Sequence, residues 1–144
     1  MPAKAIRAFT PLAFVLLAVI AGCGKTWSLN DSVEGTVTLD GAPVPNVMVQ
    51  FVPDDLKVQY PTSTGTTDDK GHFQLTCQNG TPGAVVGKHN VVVLVGRTDT
   101  GAPASPVAIP AVYKMVAETP CQVDVTADKH SYDVKLTHAA PRRK

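Results

Sequence analysis

Histidines and paired aspartates are the residues whose types could carry out acid–base chemistry or bind a metal ion. The four histidines are His72, His89, His130 and His138. The nearest two are eight residues apart, so no pair has the spacing that places two imidazoles on one zinc ion from a single element. The pairs Asp54-Asp55 and Asp68-Asp69 lack the alternating carboxylates and terminal Glu of a calcium loop. We predict strand-edge and turn roles for these residues, with no metal and no cofactor.

Nucleophilic catalysis has no motif to support it. All five serines lie outside a Gly-x-Ser-x-Gly elbow, in which a sharp turn exposes the hydroxyl. Gly24-Lys25-Thr26 resembles the end of a phosphate-binding loop, but the first Gly of that loop would fall at Val19. We therefore predict that the protein is not an enzyme.

The N-terminal segment 1–22 has the features of an export signal. Lys4 and Arg7 precede an apolar run over residues 12–20, and small residues follow that run. Nine apolar residues are too few to cross a bilayer, which takes about 20 in a helix. The segment is predicted to be a signal-peptide helix that is removed on export.

Cys23 directly follows this segment. Ile20-Ala21-Gly22-Cys23 resembles the bacterial lipobox, in which small residues precede a cysteine that is acylated and becomes the new N-terminus. The resemblance implies an exported lipoprotein held to a bacterial membrane through acylated Cys23, facing the periplasm or the cell surface. Residues 23–30 are polar and unpatterned and are predicted to be the lipidated tether. The alternative is an ordinary cleavage nearby that leaves a free thiol.

Cys77 and Cys121 remain once Cys23 is assigned to lipidation. An oxidising compartment would allow a disulfide between them. Such a bridge requires the two Cα atoms to lie within about 7 Å, which the sequence does not show. The sequence is therefore compatible with a disulfide bridge and with two free thiols.

Alternation of apolar and polar residues with period two dominates the chain after residue 30. Seven such segments, separated by turn residues such as Asp40-Gly41, predict an all-β, seven-stranded sandwich over residues 31–138. The segments are 33–39, 47–52, 63–67, 72–76, 89–95, 122–126 and 132–136. Segments 63–67 and 72–76 are expected to form a hairpin. Residues 139–144 form a basic tail.

Five turn-and-strand motifs follow one another between about residues 31 and 137. They are Val33-Glu34-Gly35-Thr36-Val37, Asp40-Gly41-Ala42-Pro43-Val44-Pro45-Asn46-Val47-Met48-Val49, Thr66-Thr67-Asp68-Asp69-Lys70-Gly71-His72-Phe73, Pro82-Gly83 with Gly87-Lys88-His89-Asn90-Val91-Val92-Val93, and Ile109-Pro110-Ala111-Val112-Tyr113. Their order resembles the carboxypeptidase regulatory-like, or transthyretin-like, domain. That family implies a prealbumin-like (Ig-like) sandwich without catalytic residues of its own. Hydroxyisourate hydrolases of related fold end in Tyr-Arg-Gly-Ser, whereas this chain ends in Pro141-Arg142-Arg143-Lys144.

Residues 97–120 form the longest stretch without strand alternation, and four prolines interrupt it. Loops of this length in compact domains are usually functional or disordered. Arg97, Ile109 and Tyr113 are therefore candidate contact residues. The alternative is an arm packed over a sheet edge, with Ile109 and Tyr113 buried.

The charge balance argues against one class of partner. Residues 31–138 carry 7 basic and 12 acidic residues, a net charge of −5, so nucleic-acid binding is not expected. We expect a membrane-anchored envelope lipoprotein whose non-catalytic β-sandwich module contacts a protein or glycan. The alternatives are a periplasmic carbohydrate- or metal-binding module and a transthyretin-like hydrolase.

Overall fold

The computed structural model describes residues 27–55 and 60–139. These residues form eleven β-strands and one short 3₁₀ helix, Ala111–Lys114. The strands are β1 (Leu29–Asn30), β2 (Glu34–Leu39), β3 (Ala42–Pro43), β4 (Val47–Pro53), β5 (Ser63–Thr66), β6 (His72–Gln74), β7 (Thr76–Cys77), β8 (Ala84–Val85), β9 (Gly87–Val95), β10 (Gln122–Val125) and β11 (Val134–Leu136). The strands of three residues or more overlap the seven predicted segments. Four two-residue strands are additional to the predicted number.

The larger sheet has five strands in the order β10-β9-β4-β5-β7, all antiparallel. β9 is an interior strand of this sheet and pairs with the central strand, β4, from Val47↔Val95 to Pro53↔His89. Five consecutive residues of β9, His89 to Val93, are buried. This agrees with the continuous apolar run of a strand that is covered on both faces.

The second sheet is built around β2. β11 pairs with one side of β2 in parallel, and β3 and β6 share the other side. Buried residues alternate along β2, at Gly35, Val37 and Leu39. The side chains of Val37 and Leu39 and those of Phe51 and Val93 from the larger sheet belong to one hydrophobic cluster. The described chain is therefore an all-β domain whose two larger sheets share a core.

The Asp40-Gly41 turn is confirmed. Leu39 pairs with Ala42 across a two-residue loop, and Asp40 and Gly41 have φ of 50° and 87°. Positive φ at both central residues is the geometry of a type I′ hairpin, which Asp-Gly favours.

The hairpin predicted for segments 63–67 and 72–76 forms only at its far end, where Thr64 pairs with Thr76. β6 pairs with β2 in one sheet, whereas β7 pairs with β5 in the other. The chain changes sheets at Leu75, whose side chain is buried. Gly65 passes so close to β6 that a Cβ there would lie 2.2 Å from the Gln74 carbonyl oxygen. The period-two pattern is the same in either pairing, so it does not reveal the switch.

The predicted tether is too long by two residues at its C-terminal end. Leu29 and Asn30 form β1, which pairs with β8, and Asn30 is 2% exposed. The Asn30 Nδ2 donates to the carbonyl oxygens of Thr126 (2.8 Å) and Lys129 (2.7 Å). Ser32 N donates to the Asn30 Oδ1 at 3.1 Å. The folded domain therefore includes Leu29 and Asn30.

The ends of β9 define two ends of the domain. Trp27 lies at the end where β9 begins, because β1 follows Trp27 and pairs with β8, which directly precedes β9. Arg97 lies at the other end, just after β9 finishes at Val95. We call these the Trp27 end and the Arg97 end. The nine residues of β9 separate them by about 27 Å, at a rise of about 3.4 Å per residue.

Candidate functional site

A cavity at the Arg97 end lies within the segment that the sequence predicts as the contact loop. Its volume is about 360 Å³, near the lower limit of the roughly 300–1,000 Å³ typical of ligand sites. We call it the loop hollow. It is lined by Val95, Gly96, Arg97, Pro103, Ser105, Pro106, Val107, Ala108, Ile109 and Lys114.

The first wall of the loop hollow is a small hairpin. Thr98 N donates to Ala102 O, and Ala104 N donates to Gly96 O, both at 2.8 Å. Gly101 has φ of 82°, which a residue without a Cβ adopts at little cost. The Arg97 guanidinium donates to Gly101 O at 2.8 Å. Side-chain bonds of Thr98 to Thr100 and to the Ala102 carbonyl add to these, so the loop has a defined shape.

The second wall is the later part of residues 97–120. It packs against the domain, which is the alternative to a contact loop that the sequence allows for this stretch. Ile109 is 4% exposed and Tyr113 is 2% exposed. The Tyr113 hydroxyl accepts from Thr137 N at 2.9 Å and donates to Thr137 O at 3.1 Å. The prediction that Tyr113 is a contact residue is therefore wrong, because its ring is in the core and its hydroxyl is used. Ile109 lines the hollow only as part of its buried floor.

The loop hollow combines apolar walls with positive charge. Of the described residues that line it, two are cationic, Arg97 and Lys114, and none is acidic. Asp99 is in the hairpin but does not line the hollow. Arg97 keeps several of its five N–H donors after bonding to Gly101, so the site can accept a carboxylate beside an apolar group. Lys114, on the 3₁₀ helix, has no sequence signal that points to this role.

A second hollow lies at the Trp27 end. It is lined by Trp27, Tyr60, Pro61, Gln78 and Asn79, and its volume is about 550 Å³. We call it the aromatic hollow. Trp27 is 37% exposed, and Asn79 Oδ1 accepts from Thr81 N at 3.0 Å. The residues come from three separate segments, so the sequence prediction does not group them.

His89 lies in the core beside a third hollow, which shares Tyr60 with the aromatic hollow. The His89 Nδ1 donates to Gly87 O at 2.9 Å. This leaves Nε2 as the lone-pair nitrogen, and it is buried without a hydrogen-bond partner among the described residues. Burial lowers the pKa of His89, while the bond to Gly87 and the charge of Asp124 oppose that effect. His89 is therefore a neutral core residue.

The other three histidines have structural partners. His72 lies 3.5 Å from a Glu34 carboxylate oxygen, and His130 Nδ1 donates to Ser32 O at 2.9 Å. His138 bonds to Asp40 through its ring and its backbone N–H, which lowers the pKa of that carboxyl. Among the described residues, no group of three or more His, Cys, Asp or Glu could hold a metal ion.

The two aspartate pairs lie at opposite ends of the domain. Asp54 follows β4 and accepts from the Asn90 side chain at 2.9 Å. Asp68 follows β5, and its Oδ1 accepts from Lys70 N and His72 N at 2.8 and 2.9 Å. These backbone bonds lower the pKa of Asp68. The turn role predicted for Asp68 is confirmed, and the two pairs do not converge on one cation.

Cys77 and Cys121 are free thiols. Cys77 is on β7, at one edge of the five-stranded sheet, and Cys121 directly precedes β10, at the other edge. Four strand spacings of about 4.8 Å place them roughly 19 Å apart, well beyond the reach of a bridge. Their sulfurs have different partners, with Cys77 Sγ 3.1 Å from Ser63 Oγ and Cys121 Sγ 3.8 Å from Lys135 O. The disulfide that the sequence allows is therefore absent.

Cys23, the predicted signal segment 1–22 and residues 140–144 of the basic tail lie outside the described residues. Within the two described ranges, no helix is long and apolar enough to cross a membrane. A comparison with known proteins found no matching family model, no matching curated protein and no matching solved structure.

Proposed function

We propose that this protein is an envelope lipoprotein whose non-catalytic, prealbumin-like sandwich of the carboxypeptidase regulatory-like type contacts another protein. In this proposal it is exported and held to a bacterial membrane through acylated Cys23. The contact surface is the loop hollow. The observation that supports this contact is that Arg97 and Lys114 line the same, largely apolar cavity. None of its described lining residues is acidic.

The chemistry of the loop hollow favours an acidic protein segment over a glycan. None of the described lining residues is aromatic, so a sugar ring finds no aromatic face on which to stack. Proline, valine and isoleucine side chains suit the apolar part of a peptide. The Arg97 guanidinium suits a carboxylate, because its planar fork matches the two oxygens.

The support for the anchor comes from the sequence before Trp27. The charged residues, the short apolar run and the lipobox resemblance at Cys23 occur in the order of a lipoprotein signal. Several acyl chains on one cysteine would hold the protein durably, since each buried methylene contributes about 0.8 kcal/mol.

Two experiments test the two parts of this proposal separately. For the anchor, the full chain is expressed with a radiolabelled fatty acid in parallel with Cys23→Ser. Label incorporation and flotation with membranes should occur in the native chain and be lost in the variant. Equal flotation of both chains would exclude anchoring through Cys23.

For the contact, short acidic peptides with a free carboxyl terminus are titrated into the isotope-labelled domain and followed by NMR. Amide shifts should concentrate at Arg97, Ser105 and Lys114, and Arg97→Gln/Lys114→Gln should weaken binding by about 10-fold or more, the loss of two charge-assisted bonds. Lys70→Gln, an exposed lysine outside the hollow, is the matched control and should bind as the native chain does. Equal affinity for neutral peptides, or for oligosaccharides, would contradict the proposal.

A further inference from the structure

The aromatic hollow is the exposed aromatic surface of the Trp27 end. Trp27 is one of three large hydrophobic side chains that the described structure leaves exposed, and Tyr60 and Pro61 beside it are half-buried. Gln78 and Asn79 add amide groups to the rim. The surface therefore offers apolar rings with polar groups at their edge.

We propose that this end of the domain docks on the lipid surface that holds Cys23, with Trp27 and Tyr60 at the level of the headgroups. The inference rests on the proposed lipid anchor and adds to it an orientation of the domain. The partner is the bilayer surface itself rather than a protein or a glycan.

The length of chain between the anchor and the domain carries the argument. Trp27 is four residues after Cys23, and four extended residues span at most about 14 Å. β1 begins at Leu29 and pairs with β8, so the chain enters the folded domain directly after Trp27. The Trp27 end therefore cannot move far from the headgroup region, whichever way the rest of the domain points.

Aromatic residues with one polar atom are suited to that position. Indole and phenol rings place an apolar body toward the acyl chains and an N–H or O–H toward water, and for this reason they concentrate at membrane interfaces. Tyr60 lines the same hollow from a different segment of the chain, the one that precedes β5. Contact by Tyr60 as well as Trp27 would distinguish docking of the domain from simple proximity of the tether.

The charges around the hollow indicate which lipids it fits. Two carboxylates, Asp54 and Asp55, and one ammonium group, Lys88, line the neighbouring hollow that shares Tyr60. An anionic lipid surface repels this excess of carboxylates. The end is therefore suited to zwitterionic headgroups.

Docking at the Trp27 end would direct the loop hollow away from the membrane. The Arg97 end is about 27 Å from the Trp27 end along β9, at the rise of an antiparallel strand. A partner in the aqueous space could then reach Arg97 and Lys114 without competing with lipid.

The single tryptophan of the chain allows a direct test. The acylated full chain is reconstituted in phosphatidylcholine vesicles with and without brominated acyl chains, which quench tryptophan on contact. Two variants move the probe: Trp27→Phe/Tyr60→Trp to the second aromatic position of the hollow, and Trp27→Phe/Ala102→Trp to the exposed hairpin at the Arg97 end. Flotation of each chain with the vesicles is measured first, and its melting temperature confirms folding.

We expect quenching of about twofold or more at positions 27 and 60 and none at position 102, since only interfacial rings meet the acyl chains. Quenching at position 27 alone, at all three positions or at none, in chains that float, would overturn docking while leaving the anchor intact. Failure to float would overturn the anchor and the docking with it. A response of the soluble Cys23→Ser chain to oligosaccharides, without quenching in vesicles, would reassign the hollow to a glycan.

Discussion

The two ends of the domain differ in the chemistry of their surfaces and in the hydrogen bonds that stabilise them. The Arg97 end has a cationic, proline-lined cavity, and the packed arm behind it is fixed by the Tyr113 hydroxyl on Thr137. The Trp27 end has an aromatic surface among carboxylates, and its entering chain is fixed by the Asn30 amide on Thr126 and Lys129.

This difference shows how a small β-domain can present two surfaces independently. Each end has its own buried residue whose polar group bonds to backbone atoms far away in sequence, and the paired strands β4 and β9 run between the ends. A change that loosens one end should therefore leave the chemistry of the other unchanged. The following variants test this separation, from the largest expected effect to the smallest.

Tyr113→Ala should have the largest effect. It removes a core ring and both bonds to Thr137, and we expect a loss of about 3–5 kcal/mol in the free energy of unfolding. The matched change Tyr60→Ala, at a half-buried position of the Trp27 end, should cost less than about 1 kcal/mol. Urea unfolding measures both. Equal losses would mean that Tyr60, too, supports the core.

Asn30→Ala should have the next largest effect on the free energy of unfolding. It removes the buried amide that donates to the carbonyl oxygens of Thr126 and Lys129 in part-buried bonds, at a cost of about 1–3 kcal/mol. Asn79→Ala, which loses one exposed turn bond to Thr81, is the control and should cost less than about 1 kcal/mol. Amide exchange should accelerate at the Trp27 end and stay unchanged around Arg97. Acceleration at both ends would show that they are not independent.

Acidification should destabilise the domain through His89. Burial lowers the pKa of His89 in the folded state, so the unfolded chain binds a proton first as the pH falls below about 6.5. The contribution of neutral His89 to the free energy of unfolding is therefore complete above that pH. It is lost as the pH falls toward the lower pKa that His89 has in the folded state.

Urea unfolding at pH 7.5 and 5.5 measures this effect in the native chain and in His89→Phe. Asp40, Asp68 and Asp128, whose pKa values are lowered in the folded state, titrate below this window. We expect a smaller loss on acidification in His89→Phe than in the native chain. The same loss in both would assign the pH dependence to another group.

Arg97→Gln/Lys114→Gln should have the smallest effect on folding, less than about 0.5 kcal/mol, because changes of surface charge are usually within that range. Arg97 is exposed and bonds only to the Gly101 carbonyl in the described structure. Thermal unfolding and peptide titration of the same sample measure stability and binding together. A large loss of stability would indicate a structural role in place of the proposed contact role.

Much of the local structure could be predicted from the residue pattern. The alternation at Gly35, Val37 and Leu39 and the Asp40-Gly41 turn are local properties, because side-chain period and backbone φ are set within a few residues. The same holds for Asp68, whose carboxylate bonds to backbone N–H groups two and four residues ahead. These predictions required no knowledge of distant segments.

The predictions that were wrong, and the alternatives that the sequence left open, all concern contacts between distant segments. Leu75 is the position at which one run of residues divides between two sheets, and alternation continues unchanged across it. The separation of Cys77 from Cys121 follows from the order of strands in the sheet. The roles of Asn30 and Tyr113 depend on partners about 100 and 24 residues away in sequence, which no local pattern indicates.

The sequence by itself determined that this is a β-rich chain with tight turns and without a recognisable catalytic motif, because strand period, turn residues and motif spacing are local properties. Only the tertiary structure decided which strands share a sheet, that Tyr113 is buried, and that Arg97 and Lys114 line one cavity. The physical reason is that burial and proximity depend on the packing of segments far apart in the chain. The same packing places the aromatic and cationic surfaces at opposite ends of β9.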